Sequence, residues 1–309
     1  MNTSSLKVLT TLGISLAMAY WLTDVSLTLN VYKTFFLGGI FFFSGLLIDI
    51  PTTLSDLKRW RLILYTNLWN LILSPILFGA LTWLIFPELS PVVALLSAVP
   101  VGMTVPLFAK LAGGSVSFAS VYLVTSTILF PLSFTIIGGL FGIFTSINEL
   151  ISITTELLIV ILLPLIIASV IGKYLKSKNW VKPVSSYGSL ICLALILIGV
   201  YSGVVSSQSL TNGTELINLT IVAILVFLGY HIVGYWSLPK AEREIRISNM
   251  LGFTYTNFSL AIVIGEQVWQ EGVEVTFLAV SSFIWMISYV VIQKLLTKKK
   301  LCGYIVDNY

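Results

Sequence analysis

Charge is what this sequence has least of. Only 10% of its 309 residues are Asp, Glu, Lys or Arg, against roughly 25% in a soluble domain, while 57% are hydrophobic. A water-solvated fold is excluded, and a polytopic membrane protein with lipid around its core is what remains. Histidine occurs once and cysteine twice. Cys192 lies inside an apolar span and Cys302 in a basic tail, so neither a disulfide nor a metal site is expected. No span carries an acid pair, or a nucleophile with a base, at membrane depth, so an intramembrane enzyme would lack its reacting groups. The net charge of +4 resides in loops without RNA-binding or zinc-finger motifs, and no nucleic-acid partner is expected.

What is present is a series of apolar runs. At roughly 20 residues per span plus short loops, the length accommodates about ten helices. They read as Leu6–Leu22, Thr34–Ile50, Leu62–Phe86, Pro91–Ala112, Val116–Phe144, Ile151–Tyr174, Ser185–Val205, Leu216–Trp236, Ile245–Gly265 and Val273–Leu296. Met1–Leu22 has the outline of a signal peptide, but no small-residue cleavage site follows, so it reads as a retained helix. After the second span, Thr53 or Ser55 with Asp56 signals an interfacial turn, which Asp49 caps. Trp21, Trp60, Trp83 and Trp236 sit near span ends, as interfacial anchors do. The chain reads as one transmembrane domain, 1–309, with a tail over about 297–309.

Basic residues set the orientation. Lys58, Arg59, Arg61, Lys110, Lys173, Lys176, Lys178, Lys182, Lys240, Arg243, Arg246, Lys294 and Lys298–Lys300 follow even-numbered spans. Only Lys33 falls at the opposite ends, where Glu88, Glu149, Glu215, Glu271 and Glu274 collect. The expectation is an integral protein of a prokaryotic plasma membrane with both termini cytoplasmic. Five spans per half would make the halves, about 1–147 and 148–309, inverted repeats.

Two spans are interrupted. In the fourth, SPVVALLSAVPVGMTVPLFAKLAGG, Pro100, Gly102 and Pro106 fall within an apolar run. Proline removes a backbone donor and clashes with the preceding turn, and the freed carbonyls must find partners in protein or water. The ninth, NMLGFTYTNFSLAIVIG, carries Gly252, Thr254, Thr256 and Asn257 near mid-depth. Broken helices in matching positions are the best sequence pointer to a midplane substrate site. Thr104, Pro106, Thr254, Thr256 and Asn257 are the candidate lining residues. Asn70, an amide in an apolar span, serves either as interhelical glue or as a ligand. Ser126 and Thr127, ahead of Pro131, are expected to bond the carbonyls that this proline frees. Glu266 and Glu156 read as solvated interfacial acids and, were protons coupled, as the first carboxylates to test.

Several segments resemble the bile acid:sodium symporter family, within the wider group that includes arsenite efflux permeases and auxin efflux carriers. They are FFFSGLLIDIPTTLSDLKRWRLILYTNLWNLILSPIL, LAGGSVSF with STILFPL, LLPLIIASVIGKYL, and GYHIVGYW with EREIRISN and TNFSLAI. The resemblance implies an all-α fold of ten helices, with broken helices four and nine crossing in a core domain against a panel domain and substrate in the cleft between. It also implies that His231, the single histidine, is packed; a proton relay is the other reading. It implies sodium coupling, and there the residues depart. One family sodium site falls on Val105, Pro106, Ala119, Leu123 and Gly252, which offer no side-chain oxygen; a one-residue slip would offer Thr104, Ser120 or Thr125. The other falls on Asn70 and Thr256 with the backbone around Phe253 and Tyr255. Asn257 matches the family asparagine that faces substrate. The arsenite permeases' cysteine in span four has no counterpart.

The expected function is therefore secondary-active transport of a small organic solute, a monoanion, by alternating access. Sodium or proton coupling stays open, and no cofactor is expected. A neutral-solute or arsenite efflux permease, and a sensor on a transporter fold, are the alternatives. The sequence leaves the oligomeric state open.

Overall fold

The structure is a computed structural model. It describes residues 31–46, 59–144, 146–175, 178–206, 213–270 and 272–306, with positions 10, 14, 15, 17, 18, 20, 21, 28 and 29. Most of the first expected span, Asp49 and the interfacial turn over 51–58 lie outside the described residues.

The described chain is almost wholly helical, without a strand of two or more residues. In order the helices are α1 (Lys33–Gly45), α2 (Trp60–Ile85), α3 (Ser90–Ala98), α4 (Val105–Ala112), α5 (Val116–Leu140), α6 (Ile147–Leu175), α7 (Val181–Ser206), α8 (Gly213–Trp236), α9 (Arg243–Thr254), α10 (Phe258–Trp269) and α11 (Val273–Val306). Four are long and apolar enough to cross a membrane, namely α2, α5, α8 and the Asn148–Leu175 part of α6. Lys33–Gly45, Pro87–Ala98, Pro183–Gly199, Phe258–Trp269 and Val273–Tyr289 are shorter apolar helices. Helix α11 continues through most of the expected tail, to Val306.

Local chemistry explains where the interruptions fall. Helix α3 stops at Ala98, and Val99 is extended at ψ 148°, because a residue ahead of proline is pushed out of the helical region. Pro106 lies in the first turn of α4, where its missing donor costs nothing. Gly113 closes α4 in the left-handed region, φ 78°. Ser115 caps α5 by accepting from the Phe118 amide at 3.3 Å, and Asn257 caps α10 by accepting from the Leu260 amide at 3.3 Å.

The second interruption lies at the C-terminal end of the expected Gly252–Asn257 stretch. Helix α9 runs through Gly252 to Thr254, and only Tyr255–Asn257 separates it from α10. The two linkers meet. Val101 and Thr256 form an antiparallel bridge, the Gly102 amide donates to the Tyr255 carbonyl at 2.9 Å, and the Asn257 amide donates to the Pro100 carbonyl at 2.7 Å. A β-carbon on Gly102 would sit 2.9 Å from the Thr256 carbonyl oxygen, so the approach requires glycine.

Around this crossing, α2 packs against α3 and α5, α8 lies against α9 and α11, and α10 touches α1, α3, α7 and α11. Helix α1 lies against both α6 and α7, with Gly45 meeting Leu165 and Ala168 closely, as small residues permit between membrane helices.

Gly102→Ala is expected to lower stability by about 1–3 kcal/mol through overpacking. Gly139→Ala, at a site with open space around it, is expected to change nothing. Thermal unfolding in one detergent compares the two.

Candidate functional site at the helix crossing

The crossing is held from the side by α5. Ser126 Oγ accepts from the Val101 amide at 3.1 Å and donates to the Leu123 carbonyl at 3.0 Å. Thr127 Oγ1 also donates to the Leu123 carbonyl, at 2.8 Å. The expectation for these two hydroxyls is thus corrected. The carbonyl that Pro131 frees is that of Thr127, four residues back, whereas both hydroxyls turn to Leu123, and Ser126 serves the interruption in α3–α4. A serine on the helix following a broken span was the available signal.

Each lining candidate has a definite place. Thr104 and Pro106 are half-buried at the start of α4, directly after the crossing. Thr254 ends α9 and spends its hydroxyl proton on the Met250 carbonyl, 3.0 Å away. Thr256 lies in the linker at 1% exposure, and its Oγ1 has no partner. Asn257 Oδ1 takes the Leu260 amide and Ser259 Oγ, while its Nδ2 is buried and unpartnered. Asn70 occupies a π-helical turn of α2, Trp69–Leu73, that packs on α3 and α5. It is 1% exposed, and neither amide atom has a partner. Such turns recur at functional sites. Thr66 Oγ1 and Asn67 Oδ1, earlier in α2, are unpartnered too; Asn67 Nδ2 donates to Thr125 Oγ1 at 2.9 Å and to the Ile63 carbonyl. Buried polar atoms are nearly always paired, so a group of exceptions calls for a cause.

Tyr255 and Phe253 are buried and contribute to a different surface. The Tyr255 ring lies edge-on to Phe108, with centroids 5.4 Å apart, and contacts His231, Trp285 and Tyr289. Its hydroxyl meets His231 Nε2 at 3.1 Å and Ser288 Oγ at 3.3 Å. His231 Nδ1 is 2.7 Å from the Phe227 carbonyl. A carbonyl only accepts, so Nδ1 carries a proton. In the neutral ring Nε2 then accepts from Tyr255. His231 positions the tyrosine whose own carbonyl holds Gly102.

The residues at the first implied sodium position do not fit a cation. Val105, Ala119, Leu123 and Tyr122 belong with Phe253 to one apolar cluster. The Tyr122 ring lies over Gly252, where an added β-carbon would meet its Cδ1 at 2.8 Å. Ring and carboxylate-bearing side chain cannot share that space. Of the one-residue alternatives, Ser120 donates to the Val116 carbonyl, and Thr125 is bonded to its own helix and to Asn67. At the second position, Asn70 and Thr256 keep unspent oxygens.

One acid departs from expectation. Glu266, read as solvated, is buried, and its Oε2 pairs with Lys33 Nζ at 2.6 Å. Glu156 is half-buried and accepts from Gln267 Nε2 at 3.1 Å.

The family model of the SBF-like CPA transporter family matches residues 7–300, nearly the whole chain. The chain belongs to the SBF-like CPA transporter family. No curated protein sequence matches it. As a member of a transporter family with apolar, membrane-length helices, it is an integral membrane protein of the transporter class.

Gly252→Ala and Tyr122→Ala are each expected to destabilise. Overpacking costs about 1–3 kcal/mol, and loss of a large ring costs about 3–5 kcal/mol. The double variant should be less destabilised than their sum, because the ring removed is the one the methyl strikes. Denaturation of the four proteins measures the coupling.

Proposed function

We propose that this SBF-like CPA transporter is a secondary-active carrier that moves a small organic monoanion by alternating access. In this reading ten spans form two inverted repeats, with the basic helix ends in the cytoplasm of a prokaryotic cell. One body containing the crossing moves against a panel built on α1, α6 and α7. The observation that carries the proposal is the crossing itself. Two interrupted helices pair backbone to backbone inside an apolar protein, and side chains of the linker and of α2 beside it bury unpaired donors and acceptors. Such groups are costly in hydrocarbon unless a passenger satisfies them for part of a cycle.

Helices α4 and α10 both begin at the crossing, and the positive end of each helix dipole favours a negatively charged group there. Among the described residues no lysine or arginine is buried beside the linkers to balance a second charge, hence a monoanion. Sodium at the first position would need oxygens where the chain places Val105, Ala119, Leu123 and the Tyr122 ring. Any sodium coupling would use Asn70 and Thr256.

Uptake of labelled monocarboxylates into proteoliposomes, with and without a sodium gradient, tests the reading. Transport indifferent to sodium but responsive to a proton gradient assigns proton coupling, and indifference to both assigns facilitated diffusion. Absence of flux with retained ligand binding would replace a carrier with a sensor. Asn70→Leu breaks no observed hydrogen bond, so stability is expected to stay level or rise. Uptake is expected to fall about tenfold or more through the lost ligand contact. Thermal unfolding and flux, measured on the same preparation, separate the two effects.

A further inference from the structure

We infer that Lys33, Glu266, Gln267 and Glu156 form a two-point polar latch that holds the acidic end of the transporter shut. The inference rests on the alternating-access reading above. Helix α10 ends with adjacent Glu266 and Gln267. The first pairs with Lys33 of α1 at 2.6 Å, and the second donates to Glu156 of α6 at 3.1 Å. Both bonds tie a half-helix of the crossing to the α1–α6–α7 group. The Lys33 and Glu266 side chains are 16% and 4% exposed, so water screens the pair weakly.

The apolar packing is asymmetric in the same sense. Toward the latch, Leu37 and Phe41 of α1 and Ile153 and Leu157 of α6 share one core with Leu260 and Val263 of α10. Toward the opposite ends the described buried residues of the two groups fall into different clusters. Leu46, Ala168 and Val181 form one cluster, while Val105, Phe108 and Tyr289 belong to another. Among the described residues, the apolar core shared by α1, α6 and α10 thus lies on the latched side.

Charge suits a contact that must reopen. A buried ion pair gives back much of its attraction as lost hydration. When the helices part, both groups regain water, so closed and open forms stay close in free energy. A wholly apolar seal would lose its full burial on every opening.

Hydrogen exchange of the full chain in nanodiscs tests the latch with Lys33→Glu, Glu266→Lys and the combined swap. Each single reversal is expected to speed exchange about tenfold in residues 33–40 and 262–269. It should also slow exchange in residues 42–46 and 105–112, because the far end closes as the near end opens. The swap should restore both. A pair with a merely structural role would loosen both ends together or the near end alone, and either result overturns the proposal, as does a swap no slower than the singles. If a reversal unfolds the chain, Glu156→Gln and Gln267→Leu probe the second contact by the same pattern. Wild-type uptake, measured separately, distinguishes the readings. Flux with exchange indifferent to the pair removes the latch alone, whereas reciprocal exchange without flux removes the transport reading.

Discussion

The structure depends on one backbone exchange. Where α3–α4 and α9–α10 are interrupted, the Gly102 and Asn257 amides find carbonyls on the opposite linker, at 2.9 and 2.7 Å. Inside a bilayer each unsatisfied backbone group costs several kcal/mol, so neither interruption could stand alone at depth. Each makes the other tolerable. Ser126 takes a further amide, that of Val101, and Gly102 lets the chains approach. The pairing is therefore a joint, and residues that touch it inherit its geometry. Tyr255 contributes its carbonyl to the joint and its hydroxyl to His231, so the single histidine acts on the crossing through a packed ring.

Much of this was legible in the sequence, because its cause is local. Proline acts on the residue before it and on the helix around it, so Pro100 and Pro106 located the first interruption. Charge scarcity and apolar run length identified the solvent. The second interruption was legible only in outline. Glycine at 252 suggested a break, yet its reason is the Tyr122 ring, supplied from 130 positions earlier in the chain, and the helix continues two residues past it. Contacts of this kind leave no periodic trace. The π turn at Asn70 is equally hidden, since a single extra residue per turn has no residue signature. Glu266 looked solvated because its partner, Lys33, is 233 residues away. A carboxylate near a span end is compatible with water or with a distant cation, and local sequence does not distinguish them.

The unpaired groups of Thr256, Asn257 and Asn70 lie where the fold has little freedom to correct them. Thr256 is fixed by its backbone bridge to Val101 and cannot rotate its linker toward a partner. Asn257 must present Oδ1 to the first turn of α10, which leaves Nδ2 facing elsewhere. Asn70 is held by the π turn, where helix hydrogen bonds set its direction. These are different constraints with one outcome, an unpaired group that the neighbouring chain does not approach. A protein under selection for stability alone would replace Asn70 by an apolar residue, because losing no bond while removing two buried polar atoms is favourable.

That reasoning bears on coupling. An ion-coupled carrier needs a group whose affinity changes as the protein changes shape, since a ligand shifts an equilibrium only by its differential affinity for the two states. The Tyr122–Gly252 contact belongs to the packed interior of α5 and α9, within one apolar cluster. The Asn70 π turn and the Thr256 linker differ: both sit where separate helices meet, and small movements between those helices would change how their oxygens converge. For sodium, the requirement of state-dependent affinity favours the oxygens of Asn70 and Thr256 over the apolar cluster at Tyr122.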